Sequence, residues 1–177
     1  MHHGTTFVSN DRLMVWHEEG ELVMAGVPKL PRINPGTILS IPELAGNITS
    51  KSIESYKDLP LDDLWKLEEK YDAFIDEIYG ANKFLLKSPM DGLVLLTWKH
   101  TEGEIKVQRV YLDSRPDLLP AFMKTPGLFY LPNAIGAERA NNRDYYIELM
   151  KDCPIYEFSG SVEFNFATDY CLKLLQN

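Results

Sequence analysis

The stretch that decides the fold lies near the start of the chain and reads Gly4-Thr5-Thr6-Phe7-Val8-Ser9-Asn10-Asp11-Arg12-Leu13-Met14-Val15. Phe7 and Val8 predict a short buried strand, and the chain turns polar directly after it, before another apolar run begins. In an open α/β sheet, ligands bind at the carboxyl ends of the strands. An acid at that point can hold magnesium or orient a hydroxyl group for attack on a phosphoryl group. The alternative is a plain turn, because Asn10 and Asp11 both favour turns.

Length and composition limit the classes of protein to consider. The chain has 177 residues, of which 45% are hydrophobic and 11% aromatic, which is enough for one domain with a core. A net charge of −8 does not suit a nucleic-acid surface, which is normally basic. No apolar run is long enough to span a membrane, and the first residues do not form a secretory signal. With only Cys153 and Cys171, we expect a cytoplasmic protein with reduced thiols.

The first residues are unusual for a complete domain. An interior strand needs neighbours on both sides, yet only a few residues precede Phe7. We therefore expect a single domain over residues 1–177 that lacks a segment upstream. The open strand edge would favour association with a second copy, so a homo-oligomer is left open.

Apolar spacing and turn residues predict the remaining elements. A hairpin is expected over residues 13–16 and 21–25, and Asn34 is expected to cap a short helix that begins at Pro35. The three- and four-residue spacing of apolar residues over 61–78 predicts the longest helix, which Gly80 ends. The other predictions are a surface loop over 46–57, antiparallel strands over 93–99 and 105–112, helices over 116–123, 139–150 and 167–175, strands over 155–158 and 162–166, and an apolar segment over 127–131.

A proline-rich arm follows the hairpin and reads Gly26-Val27-Pro28-Lys29-Leu30-Pro31-Arg32-Ile33-Asn34-Pro35-Gly36. Its prolines and glycines disfavour a helix and stiffen an extended loop. Lys29 and Arg32 are its only charges. Beside a magnesium-binding acid they could hold a substrate or the transferred phosphate, with Arg32 binding bidentately. The alternative is that both are solvated loop charges.

The order of these motifs resembles that of the HPr-kinase-like P-loop kinases, and it is most similar to the subgroup called HprK-related kinase B. The likeness rests on the strand, polar turn, hairpin and arm above, and on three later stretches, residues 64–71, 115–124 and 153–171. It implies an α/β fold of the P-loop kinase type (HPr kinase/PEPCK-like), a mixed sheet with flanking helices, here without its N-terminal P-loop unit. It also implies ATP and magnesium as cofactors and a hydroxyl group on a protein or small molecule as the acceptor.

The resemblance assigns roles to particular residues. The corresponding strand of HPr kinases ends in two adjacent aspartates, and Asn10 and Asp11 stand in their place. Asp11 is then the base or the main magnesium ligand, while Asn10 assists through its carbonyl oxygen but cannot serve as a base. Lys29 and Arg32 are expected to bind phosphate. Arg12 either reaches phosphate or pairs with a surface acid, and the sequence leaves both open.

The phosphate-binding motif GxxxxGK[ST] is absent from the 177 residues. Its backbone N–H groups and its lysine supply much of the stabilisation of a transferring phosphoryl group. We therefore expect little or no kinase turnover from this chain by itself. The alternative function is a catalytically inactive binding or assembly module on a kinase-derived scaffold, which the missing motif and Asn10 both favour.

Overall fold

The computed structural model describes residues 1, 3–47, 50–99, 103–124, 139 and 142–176. The chain divides into two compact units. The first unit comprises Met1–Val15 with Val23–Ser88, and the second comprises Trp16–Leu22 with Pro89–Asn177. That residues 1–177 form a single domain stays a prediction.

The part of the chain from residue 13 to residue 89 alternates short strands with short helices. The predicted hairpin is confirmed, and Glu19 and Gly20 form its turn at positive φ. The elements are β1 (Leu13–Glu18), β2 (Glu21–Gly26), β3 (Arg32–Ile33), α1 (Pro35–Ser40), a 3₁₀ helix (Pro42–Asn47), α2 (Ser50–Lys57), α3 (Leu61–Lys66), β4 (Tyr71–Asp72), α4 (Ile75–Tyr79) and β5 (Lys87–Pro89). One sheet has the order β1-β2-β5, and a second consists of β3 and β4.

The helices of the first unit pack around four buried side chains, Ile38, Leu44, Tyr56 and Leu64. Helix α1 begins at Pro35 as predicted, but the side chain of Asn34 makes no capping hydrogen bond. The prediction of a surface loop over 46–57 is wrong for residues 50–57, which form α2. A sequence rich in serine adopts a helix there because burial of Tyr56 favours packing of the segment onto the core.

The single helix predicted over 61–78 is also wrong. Helix α3 ends at Lys66, and β4 then pairs antiparallel with β3, which sets Asp72 opposite Arg32. The Glu69 carboxylate accepts hydrogen bonds from the hydroxyl groups of Tyr56 and Tyr71. These contacts hold residues 69–72 in an extended form, so tertiary pairing outweighs the helical periodicity. Gly80 ends α4 as predicted, with φ at 97°.

The second unit is built on a three-stranded sheet with the order β6-β8-β7, formed by β6 (Leu93–Trp98), β7 (Lys106–Val110) and β8 (Ile155–Gly160). All three strands were predicted. The direct pairing of the first two was wrong, because β8 lies between them, parallel to β6 and antiparallel to β7. The apolar side chains of β8 explain its central position, since Phe158 is completely buried.

The helices of the second unit are a 3₁₀ helix (Pro116–Ala121), α5 (Arg143–Leu149) and α6 (Phe164–Leu174). The strand predicted over 162–166 is wrong, because α6 begins at Phe164. The ring of Phe164 lies 5.4 Å from that of Trp98, and Tyr170 one and a half turns on lies 5.4 Å from Phe158. The contact of Tyr170 with the buried ring of Phe158 thus favours a helix over the alternating pattern. The apolar segment predicted over 127–131 lies outside the described residues.

The architecture is therefore mixed α/β with small mixed sheets. None of the helices in the described part of the chain has the length and apolar character needed to cross a membrane.

Candidate functional site

The strand predicted at Phe7 and Val8 is reduced to one parallel bridge between Phe7 and Phe84. The Phe7 N–H donates to the Lys83 carbonyl and the Leu85 N–H donates to the Phe7 carbonyl, both at 2.8 Å. The Asp76 carboxylate accepts the N–H groups of Lys83 (2.8 Å) and Phe84 (3.0 Å). Asp76 thereby fixes the segment against which the start of the chain pairs.

Gly26, at the end of β2, brings the polar turn and the proline-rich arm together. A Cβ atom built at Gly26 would overlap the carbonyl oxygen of Val8 and lie 3.1 Å from Cβ of Ser9. Only glycine leaves room for this close approach of two backbones. The arm therefore begins directly beside the backbone that leads to Asn10.

A hydrogen bond joins the polar turn to the arm a second time. Nδ2 of Asn10 donates to the backbone carbonyl of Arg32 at 3.3 Å. This orientation leaves the carbonyl oxygen of the Asn10 amide as an acceptor for another group. Asn10 is exposed, so a ligand can approach that oxygen.

Asp11 and Arg12 lie side by side on the surface. Nε of Arg12 is 3.9 Å from Oδ2 of Asp11, and the two side chains are 37% and 51% exposed. The Asp11 N–H points to Oγ of Ser9 at 3.5 Å, so the backbone bends here as the turn alternative expected. An exposed pair at this distance contributes at most about 1 kcal/mol. The Asp11 carboxylate is thus accessible and only weakly held.

Arg32 is an exposed cation on a fixed backbone. Pro31 before it is buried, and the Pro31 carbonyl accepts the Ala73 N–H at 2.9 Å. Among the described residues, no carboxylate oxygen lies within 4.0 Å of the Arg32 guanidinium group. Lys29 is also exposed, and its N–H donates to the Val27 carbonyl at 2.7 Å. Arg32 is therefore exposed on the arm, and it forms no ion pair with a carboxylate among the described residues.

Asp72 is an acid near this site, within the segment 61–78 for which the apolar spacing predicts a helix. Its Cα is the register partner of Arg32 across the β3–β4 pair. Side chains paired in this way lie on the same face of the two strands. The apolar spacing over 61–78 predicted a helix, which would not pair Asp72 with the arm. The position of Asp72 opposite Arg32 follows only from the pairing of β3 and β4.

The residues at the polar turn suit magnesium better than zinc. Across the described residues, no group of three or more His, Cys, Asp and Glu side chains could hold a metal ion. Zinc needs three or four such ligands, whereas magnesium is often held by one or two protein oxygens, with water and phosphate completing the shell. The Asp11 carboxylate and the Asn10 carbonyl fit the second pattern.

A buried carboxylate in the second unit was not singled out from the sequence. Glu157, in the middle of β8, is only 5% exposed. Its oxygens accept hydrogen bonds from Gln108 (2.7 Å) and Thr97 (2.9 Å), and Arg115 donates to both of them at 2.7 and 3.2 Å. One indication of this buried group is present in the sequence, a single acid within the apolar run 155–158.

These contacts keep Glu157 ionised. The hydrogen bond from Arg115 is the largest influence, and those from Gln108 and Thr97 act in the same direction. Together they lower the pKa of Glu157 from 4.5 to about 2, although burial acts in the opposite direction. Arg115 also donates two hydrogen bonds of 2.9 Å to Asp117. Because partners occupy both oxygens of Glu157, we interpret this group as structural.

No family model, curated protein or solved structure matches this chain in the comparisons with known proteins.

Proposed function

We propose that residues 9–12 and 26–32 form the acceptor and magnesium side of the active site of an ATP- and magnesium-dependent phosphotransferase of the HPr-kinase-like type. The observation that carries the proposal is the hydrogen bond from Asn10 to the Arg32 carbonyl. It joins the turn that holds Asp11 to the arm that holds Lys29 and Arg32. The P-loop kinase-like arrangement belongs to the same proposal, and these 177 residues contain no GxxxxGK[ST] loop of their own.

Each side chain has a defined task in this proposal. Asp11 and the carbonyl oxygen of Asn10 hold magnesium, which when bound offsets the negative charge of the phosphates. The Asp11 carboxylate also accepts the proton of the acceptor hydroxyl. Arg32 donates paired N–H groups to phosphate oxygens, and Lys29 adds a second positive charge. Arg12, beside Asp11, balances part of the carboxylate charge.

The proposed acceptor is a hydroxyl group on a protein or small molecule, and the proposed compartment is the cytoplasm. Cys153 and Cys171 are both free, as expected where thiols are kept reduced. The chain carries a net charge of −8, which argues against a nucleic acid as the acceptor.

The metal site is tested with Mn²⁺, a paramagnetic substitute for Mg²⁺, in an NMR titration of the chain. We expect the amide signals of Ser9, Asp11 and Arg12 to lose intensity first, and excess Mg²⁺ to restore them. Asp11→Asn should abolish the selective loss. Asp63→Asn, which removes an exposed acid in the first turn of α3, serves as the control and should leave it unchanged. Equal broadening in wild type and Asp11→Asn would remove Asp11 from a metal site.

The phosphate-binding role of Arg32 is tested with tripolyphosphate in the presence of Mg²⁺. Arg32→Gln should weaken its binding by about tenfold, because a charge-assisted pair of hydrogen bonds is lost. Lys57→Gln removes an exposed positive charge at the end of α2 and is the matched control. If both variants weaken binding equally, the arm contributes only general charge and Arg32 has no specific role.

The inactive binding or assembly module remains the second candidate, because the sequence has no GxxxxGK[ST] motif and carries Asn10 in place of an acid. Calorimetry with Mg·ATP tests whether this chain binds nucleotide without a phosphate-binding loop. We expect no measurable ATP binding by this chain, since nothing in it replaces the missing phosphate-binding loop. Absence of both the Mn²⁺ and the tripolyphosphate effects would favour the inactive module, and tight ATP binding would contradict the expected role of the missing loop.

A further inference from the structure

The second unit contains a cavity of about 140 Å³ with an apolar wall. It lies among the end of β7, α5 and the start of β8, and Val110, Leu112, Met150 and Ile155 in its wall are all buried. A cavity of about 150 Å³ lined by Leu, Ile and Phe is large enough for benzene, and the buried part of the wall of this cavity is likewise apolar. The space therefore suits an apolar group of about one six-membered ring.

The mouth of this cavity carries an arginine held in a favourable position. The guanidinium group of Arg109 lies 5.6 Å from the centre of the Tyr111 ring. Stacking on an aromatic ring fixes the guanidinium plane and leaves its N–H edge available to a carboxylate. Within the described ranges, no carboxylate oxygen lies within 4.0 Å of Arg109.

Lys151 and Asp113 also line the cavity, so its charged lining consists of two cations, Arg109 and Lys151, and one carboxylate. Nζ of Lys151 is 2.6 Å from the Glu148 carboxylate, but both side chains are more than half exposed, so water screens the pair and an anion can compete for Lys151. The Asp113 carboxylate accepts the backbone N–H of Ser114 at 2.7 Å through one oxygen, Oδ1. Of the two lining cations, Arg109 is therefore the more available to an anionic ligand, because Lys151 must first release Glu148.

We propose that this cavity binds a small carboxylate with a compact apolar body, of about the size of benzoate. The ring packs against the apolar wall of the cavity, which includes Met150 and Ile155. The carboxylate pairs bidentately with Arg109, and Lys151 lies nearby. The proposal does not depend on phosphotransfer, because it concerns residues of the second unit only and a different class of ligand.

Cys153 provides a built-in reporter of occupancy. It lines the cavity, whereas Cys171 on α6 does not, and both are half-buried free thiols. Burial raises the pKa of both thiols, that of Cys153 to about 11. Alkylation is therefore slow for both cysteines, and a ligand in the cavity should slow it further at Cys153 alone.

The experiment titrates the chain with benzoate and follows the methyl signals of Ile147 and Met150 by NMR. We expect saturable shifts with a dissociation constant of about 1–10 mM, as is typical of a ligand with so few atoms. Benzoate should protect Cys153 but not Cys171 from iodoacetamide. Benzyl alcohol, which has the same ring but no charge, should bind at least about fivefold more weakly. A lack of saturation, equal binding of benzyl alcohol or equal protection of both thiols would each overturn the proposal.

Variants test the role of the arginine directly. Arg109→Gln should weaken benzoate binding at least about fivefold, and Arg109→Lys should fall between it and wild type, because the charge remains but the paired geometry is lost. Arg143→Gln, on α5 but away from the cavity wall, is the matched control and should bind as wild type. Arg109 is exposed, so these variants are expected to fold. Unchanged binding in Arg109→Gln would overturn the assignment.

Discussion

Two carboxylates of this protein, Glu157 in the second unit and Asp11 in the first, have opposite surroundings. Glu157 is 5% exposed and receives hydrogen bonds from three different side chains. Asp11 is about half exposed, and the Arg12 guanidinium stands 3.9 Å away. The polar turn at Asp11 is instead held through its neighbours, by the close approach at Gly26 and the hydrogen bond from Asn10.

The difference separates a charge that supports the fold from charges available to a ligand. A buried, fully paired carboxylate has no remaining capacity for a substrate, and its removal leaves buried partners unsatisfied. Exposed charges without strong partners add little to stability. When such a charge binds a ligand, little interaction energy with the rest of the protein is given up. The same reasoning groups Arg32 and Arg109 with Asp11, since neither has a carboxylate within 4.0 Å in the described part of the chain.

The largest effect is expected for Glu157→Ala. Arg115 retains Asp117, but Gln108 and Thr97 lose a buried partner, so the free energy of unfolding of the second unit should fall by about 4 kcal/mol. Urea unfolding followed by the NMR signals of β8 measures this. Asp169→Asn removes an exposed acid on α6 and should change the value by less than about 0.5 kcal/mol. If Glu157→Ala lowers the free energy of unfolding as little as Asp169→Asn does, the buried acid contributes no more to stability than the exposed one, which contradicts the prediction.

The same network predicts a dependence of stability on pH. The pKa of Glu157 falls from 4.5 to about 2 in the folded protein, so the folded state binds fewer protons than the unfolded state between these values. The stabilisation is complete above about pH 5 and is lost as the pH falls towards 2, a loss of up to about 3 kcal/mol. Denaturation at pH 6 and pH 3 measures it. Glu157→Ala should show a smaller loss than wild type, and an equal loss would assign the effect to other acids.

A smaller effect is expected for Gly26→Ala in the first unit. The added methyl group meets the Val8 carbonyl, so the backbone must shift, and the free energy of unfolding should fall by about 2 kcal/mol. Gly46→Ala is the control, because an added Cβ there meets nothing within 4 Å. The Gly26 variant should also weaken the Mn²⁺ effect at Asp11. If the free energy of unfolding falls but Mn²⁺ still broadens the Asp11 signal as in wild type, the close approach of Gly26 to Val8 stabilises the fold and does not shape the metal site.

Local sequence was informative where the chain interacts mainly with itself. Glu19 and Gly20 supply the positive φ that the first hairpin turn requires, Asn34 and Pro35 mark the start of α1, and Gly80 ends α4. Each of these depends on the conformational preference of one or two residues. The proline-rich arm and the polar turn were predicted as parts of a site on different grounds, from their charged residues and from the resemblance to HPr-kinase-like kinases, and that assignment stays a prediction.

Local sequence failed where a distant partner decides the conformation. The apolar spacing over 61–78 is helical, but pairing with β3 and the hydrogen bonds to Glu69 outweigh it. The order of the second sheet depends on β8, which follows β7 by more than forty residues. The Glu157 network is equally non-local, because its partners come from two other strands and a loop.

By itself, the sequence determined the first hairpin turn, the start of α1, the end of α4 and the residues that carry charge near the start of the chain, because backbone preferences and ionisation belong to single residues. Only the tertiary structure decided that Asn10 reaches the Arg32 carbonyl, that Asp72 stands opposite Arg32 and that Glu157 is buried among donors. These pairings follow from which surfaces gain most by being buried together, and that is a property of the whole chain.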